Sequence, residues 1–99
     1  MLDAALEAVE FVKDKNRNDL NSDKKLALAL VRLLEVVGEA ANKVSQETRQ
    51  QSSAIPWPQI VGMRNRLIHA YFDIDLDEIW RTVQEDLPPL IAILKKIAV

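Results

Sequence analysis

"DKKLALALVRLLEVVGEAANKV", residues 23 to 44, decides the fold. Leu26, Leu30, Leu33, Val37, Ala41 and Val44 recur at the three- and four-residue spacing of one helix face. Leu34 and Val36 widen that stripe, so the helix should be buried on more than one side. Ser22 or Asp23 can cap its first turn. The pattern predicts a helix over 23–50, with "QQSSAIP" as the break after it. Gly38 lies inside it at a cost of roughly 1 kcal/mol relative to alanine. A glycine there suits a place where another helix comes close.

Working outward, Leu2, Leu6, Val9 and Val12 or Lys13 predict a first helix over 2–15. "NRNDLNSD" is rich in Asn, Asp and Ser and reads as a turn. A third helix should begin at Trp57 or Pro58, since a first turn tolerates proline, and run to about Tyr71. Ile60, Val61, Leu67 and Ile68 give it apolar surface. "DIDLDEIW" opens a fourth, with Asp75 and Glu78 spaced as a capping box. Pro88-Pro89 should break or kink the chain before a last helix over 88–97. No segment reads as a strand. The expectation is one domain over 1–99, all-α, a compact bundle of four or five helices.

Composition narrows the chemistry. A chain of 99 residues fits one domain with a modest core, which an oligomer would help to stabilise. The absence of cysteine removes disulfides, thiolate metal sites and cysteine nucleophiles together. With Gly38 and Gly62 as its only glycines, the chain has no glycine-rich phosphate loop. Arg32 and Glu35 interrupt the longest apolar run, so no bilayer span is expected. The N-terminus carries acids where a secretory signal needs positive charge, so a cytoplasmic protein is expected. Asp73, Asp75 and Asp77 alternate like the start of a calcium loop. Glycine is missing at its sixth position, however, and Gln84 stands where its last glutamate should be. A charged helix start is the better reading, and no metal site is expected.

The net charge of −2 argues against a general nucleic-acid binder. The distribution says more. Thr48 to Phe72 contains three arginines and no acid, where average density would give roughly four acids. Either a local positive patch forms there, or a buried helix simply carries few charges.

That segment holds the chain's one histidine, in "GMRNRLIHAYF", residues 62 to 72. On a helix, Asn65 and His69 would share a face, and Arg66 would neighbour His69. Arg64 would be turned about 140° from His69, so a long reach or a second chain would have to bring them together. The set suits RNA cleavage. The 2′-hydroxyl must lose a proton, the leaving 5′-oxygen must gain one, and negative charge builds on the phosphate between them. Imidazole can do either proton transfer near neutral pH, and guanidinium stabilises the phosphate charge with paired donors. Two proton transfers favour two imidazoles, which a symmetric dimer would supply. A plainer role also fits, with His69 binding free carbonyls at a helix end.

Arg64-Asn65-Arg66-Leu67-Ile68-His69-Ala70-Tyr71 resembles the R-x4-H-x-Y motif of the HepT-like branch of the HEPN superfamily. The flanking text is similar too. "RLLEVVGEAANKVS" resembles the family's long second helix, and "VQEDLPPL" its closing segment. Pro58 and Gln59 depart from the charged residues that many relatives carry there.

The resemblance implies an all-α HEPN bundle, dimeric, with motif helices facing across a cleft. It implies a metal-independent endoribonuclease, without cofactor, acting on mRNA or tRNA as the toxin of a toxin–antitoxin pair. Arg64 and His69 would be the catalytic pair, with Asn65 and Arg66 orienting them or contacting RNA. The implied partner is an MNT-type nucleotidyltransferase antitoxin that can transfer AMP to Tyr71. Bulk and negative charge on Tyr71 would then compete with RNA for Arg64 and Arg66. The alternative is a non-catalytic helical subunit of a nucleotidyltransferase. The intact Arg64 and His69 favour catalysis, because a scaffold has no physical need for both.

Overall fold

The computed structural model describes residues 1–70 and 73–97, and for His69 and Ala70 the backbone alone. Its centre is α3, Lys24–Asn42. Asp23 caps it, accepting the Leu26 N–H at 3.1 Å. Leu30, Leu34, Val37 and Ala41 are fully buried. Leu33, Val36 and Val44 pack partly buried at the margin, so the wide stripe expected from the sequence holds.

The helix stops at Asn42, well short of residue 50. Ser45 ends the continuity. Its hydroxyl accepts the Thr48 N–H at 3.1 Å and so starts a separate helix, α4, Gln46–Gln51. Arg49 of α4 turns back to donate to the carbonyls of Ala41 (2.9 Å) and Val44 (3.2 Å) at the end of α3. Its guanidinium also lies over the Trp57 ring, 5.7 Å from the centroid.

Helix α1, Leu2–Phe11, lies along α3. It ends before residue 15, and Asp14 follows with φ of 64°, a left-handed conformation that Asp tolerates better than most residues. Its most buried residues are Ala4, Ala5 and Ala8, with Val12 just beyond its end. Of the expected stripe Val12 is buried, Leu2 and Val9 pack partly buried, and Leu6 is displaced from the core face. Small side chains let α1 sit close to α3, while Leu6 is left exposed. The polar turn contains a single helical turn, α2, Asp19–Ser22, which buries Leu20.

The expected third helix is three pieces. Helix α5, Trp57–Val61, and helix α6, Met63–Leu67, meet at Gly62. Then Ile68–Ala70 is extended as β1 and pairs antiparallel with β2, Asp73–Ile74. This two-stranded ladder overturns the expectation of no strand, but it is an appendage to an otherwise helical bundle. Gly38 is where α5 crosses α3. A Cβ there would stand 3.2 Å from the Ile60 carbonyl oxygen, so the close approach read from the sequence is present.

Helix α7, Leu76–Arg81, starts at Asp75, whose carboxylate accepts the Glu78 N–H at 3.0 Å. It runs through a π-helical turn, Thr82–Asp86, into α8, Leu87–Ile97. Pro88 and Pro89 stand in the first turn of α8, where their missing N–H groups are tolerated. The expected break is thus absorbed as a π turn just upstream. Ile79, Val83 and Leu87 from this rod meet Ile60, Met63 and Leu67 in the core. The architecture is an all-α bundle of four main arms: α1, α3, the bent α5–α6, and the α7–α8 rod. Among the described residues, no helix is long and apolar enough to cross a membrane.

Candidate active site

Arg64, Asn65 and Arg66 all lie on the five-residue helix α6. Residues two apart on a helix point to nearly opposite sides, and the structure uses both. Arg64 turns to α3, where its Nε donates to Glu35 Oε2 at 3.2 Å. Its side chain is 61% exposed and that of Glu35 20%. Arg66 turns the other way. Its Nη1 donates to the Gln59 carbonyl at 2.8 Å, and its Nε lies 3.6 Å from Glu78 Oε1. Asn65 is exposed between them.

His69 is not on the helix, which corrects the expected face shared with Asn65 and Arg66. Ile68 leaves α6 in an extended conformation (φ −126°, ψ 110°), and the Asp75 N–H takes the Leu67 carbonyl at 2.8 Å. The β-branched Ile68 and the pairing with Ile74 favour the strand at this point. The His69 imidazole and the whole of Tyr71 lie outside the described residues, so their placement relative to Arg64 is not part of the geometry.

Glu78 anchors the second flank. Arg81 donates to its carboxylate from Nε (3.1 Å) and Nη2, and to Asp86 from Nη1 (3.1 Å) and Nη2 (3.0 Å). The hydrogen bond from Arg81 holds the Glu78 carboxyl below its ordinary pKa. Partial burial opposes this, and the charges of Arg81 and Arg66 reinforce it. Arg81 is pushed above its own ordinary value by its hydrogen bonds to Glu78 and Asp86. This network borders a cleft of about 570 Å³ floored by Ile60, Met63, Leu87 and Leu90. Its lining balances Arg66 and Arg81 with Glu85 and Asp86, so no net positive charge faces the cleft.

The acid-free window therefore does not make a broad positive patch. Its three arginines find partners from other segments: Arg49 on backbone carbonyls, Arg64 on Glu35, Arg66 on Glu78. What remains open is one edge of Arg64. Its Nη1 and Nη2 bond to no described residue, and its side chain is mostly exposed. Sequence reasoning missed Glu35 as part of this site. The available signal was a carboxylate set among Leu33, Leu34, Val36 and Val37 on a helix meant to be buried.

The class that the fold defines is a small all-α domain, with Arg64, Asn65 and Arg66 on a short helix just before the lone histidine. The family described as ribonuclease HepT-like matches residues 1–97. Among relatives, a candidate RNase of Methanocaldococcus jannaschii is 38% identical over 90 residues, covering 91% of this chain and 83% of the relative. "Probable ribonuclease HepT" of Thermococcus cleftensis is 38% identical over 93 residues, covering 90% and 84%. A candidate RNase of Caldanaerobacter subterraneus is 39% identical over 89 residues, covering 90% and 80%. No solved structure matches. The chain belongs to the HepT-like ribonuclease family.

Proposed function

We propose that this protein is a metal-independent endoribonuclease, the toxin of a toxin–antitoxin pair, with Arg64 and His69 as its catalytic residues. The observation that carries the reading is Arg64, exposed on α6 with its outer donor edge open, in a chain of a ribonuclease family. Arg64 grips the scissile phosphate and stabilises the charge that builds on its non-bridging oxygens. His69 moves protons. One imidazole takes the proton of the 2′-hydroxyl as that oxygen attacks phosphorus, and another protonates the departing 5′-oxygen. The products are a 2′,3′-cyclic phosphate and a free 5′-hydroxyl.

A homodimer supplies both imidazoles. Asn65, exposed beside Arg64, contacts RNA or orients the pair. Arg66 is committed to Gln59 and Glu78, so its contribution to RNA binding is the smaller one. The partner is an MNT-type nucleotidyltransferase that silences the toxin by adding AMP to Tyr71. The site of action is the cytoplasm, on mRNA or tRNA.

The test is cleavage of RNA in EDTA by wild type and His69→Ala, with intact mass recorded for both. Cleavage by wild type alone is expected. No cleavage by a folded protein of unmodified mass would remove the broad-specificity ribonuclease and favour the non-catalytic nucleotidyltransferase subunit. No cleavage with added mass equal to one AMP group would point to Tyr71 and a toxin already silenced.

A further inference from the structure

The arginines of this protein differ in how their donors are spent. Arg81 commits Nε, Nη1 and Nη2 to Glu78 and Asp86, and Arg49 commits Nε and Nη2 to backbone carbonyls. Arg64 alone on α6 is held through Nε and nothing else among the described residues. A guanidinium is planar with five N–H donors. A bond at Nε fixes the plane and leaves the opposite edge, with both Nη nitrogens, free to meet two phosphate oxygens. Held at an Nη, the same group would lose that edge.

The acceptor is well placed to impose an orientation. Glu35 lies mid-way along the 19-residue α3, between fully buried Leu34 and Val37, and its side chain is mostly covered. Arg64 stands on a short helix that gives way to a strand four residues later. Without an anchor, its long side chain would sample many rotamers, and ordering it would cost entropy. The core of the bundle thus reaches the site through one carboxylate.

We infer that Glu35 is a positioning residue: its carboxylate holds the Arg64 guanidinium by Nε so that the Nη1–Nη2 edge is presented to the RNA phosphate. This rests on the reading of Arg64 as the phosphate-binding group. Glu35 touches no substrate. Its negative charge works slightly against RNA binding, so what it contributes is geometry. An acceptor oxygen without the charge should serve nearly as well.

The experiment measures kcat and KM for RNA cleavage with Glu35→Gln, Glu35→Ala and Glu35→Met, alongside Arg64→Ala. Thermal melts confirm that each is folded at the assay temperature. Glu35→Gln keeps an acceptor oxygen and should retain kcat within about threefold, with KM unchanged or lower. Glu35→Ala and the length-matched Glu35→Met should each lower kcat roughly tenfold or more, because the catalytic group loses its orientation. If Arg64→Ala is inactive but Glu35→Ala and Glu35→Met match wild type, the inference is overturned and the ribonuclease reading stands. If Glu35→Gln is as impaired as Glu35→Ala, positioning through an acceptor oxygen is overturned. If Arg64→Ala itself cleaves like wild type, the role of Arg64 fails, and that of Glu35 with it.

Discussion

The two flanks of helix α6 use the same chemistry to opposite ends. On one, Arg81 is surrounded by Glu78 and Asp86, with its donors satisfied, at the border of an apolar cleft. On the other, Arg64 makes one ion pair and keeps its outer edge open. Arg66, two residues from Arg64, belongs to the closed flank. A saturated guanidinium joins pieces of a fold, and a half-satisfied one remains available to a ligand. Counting arginines along the sequence could not separate them. Counting spent donors does.

The largest effect expected from this contrast is a gain from nothing. If the open edge of Arg64 works with histidines from two chains, Arg64→Ala and His69→Ala proteins are each inactive alone. Unfolded together and reassembled, they should recover measurable RNA cleavage. Heterodimers that form but recover none would break the shared site and leave each chain to act by itself.

Next in size is the packing that holds α6 in place. Gly38→Ala would put a methyl group 3.2 Å from the Ile60 carbonyl oxygen, a backbone atom with little room to give. A loss of about 1–3 kcal/mol is expected in urea unfolding, with RNA cleavage falling as the α5–α6 arm shifts. Unchanged stability would mean that the crossing is looser than described.

The closed flank should show smaller effects, confined to stability. Arg81→Ala should cost about 1 kcal/mol, discounted for the partial exposure of the pair. The cost should depend on pH in a defined direction. Glu78 has a lowered pKa in the folded state, so its stabilisation is fully present above the ordinary glutamate value of about 4.3. It is lost as pH falls through the lower folded-state value. The stability gap between wild type and Arg81→Ala should therefore be constant near neutrality and close at acid pH. A gap that widens on acidification would contradict the pairing.

Much of the fold was legible because local rules and tertiary packing agree there. The α3 stripe, the Asp23 and Asp75 caps, and Gly38 as a crossing point all follow from residue type and spacing. The misreadings have physical causes. On α1 the expected face had Leu6 at its centre, but close contact with α3 selects Ala4, Ala5 and Ala8 and leaves Leu2 and Val9 at the margin. At Ser45 a side-chain bond to the Thr48 N–H outweighs the continuing helical pattern. At Ile68 the chain leaves the helix to pair with Ile74, a neighbour six residues on that the helical period does not test. That last departure removes the helical geometry assumed between Asn65 and His69. The motif residues themselves were legible, and Arg64 is found exposed on α6. Glu35 was not, because its meaning depends on a contact 29 residues away in sequence.

The most direct measurement compares Arg64→Ala with Arg81→Ala in one RNA cleavage assay, each protein shown to be folded by its melting curve. The account predicts that Arg64→Ala loses cleavage on the order of a hundredfold while its stability barely changes. Arg81→Ala should melt earlier yet cleave like wild type wherever it is folded. Equal cleavage by Arg64→Ala and wild type, or a loss of cleavage in a folded Arg81→Ala, would contradict the assignment of the open flank to RNA and the closed flank to the fold.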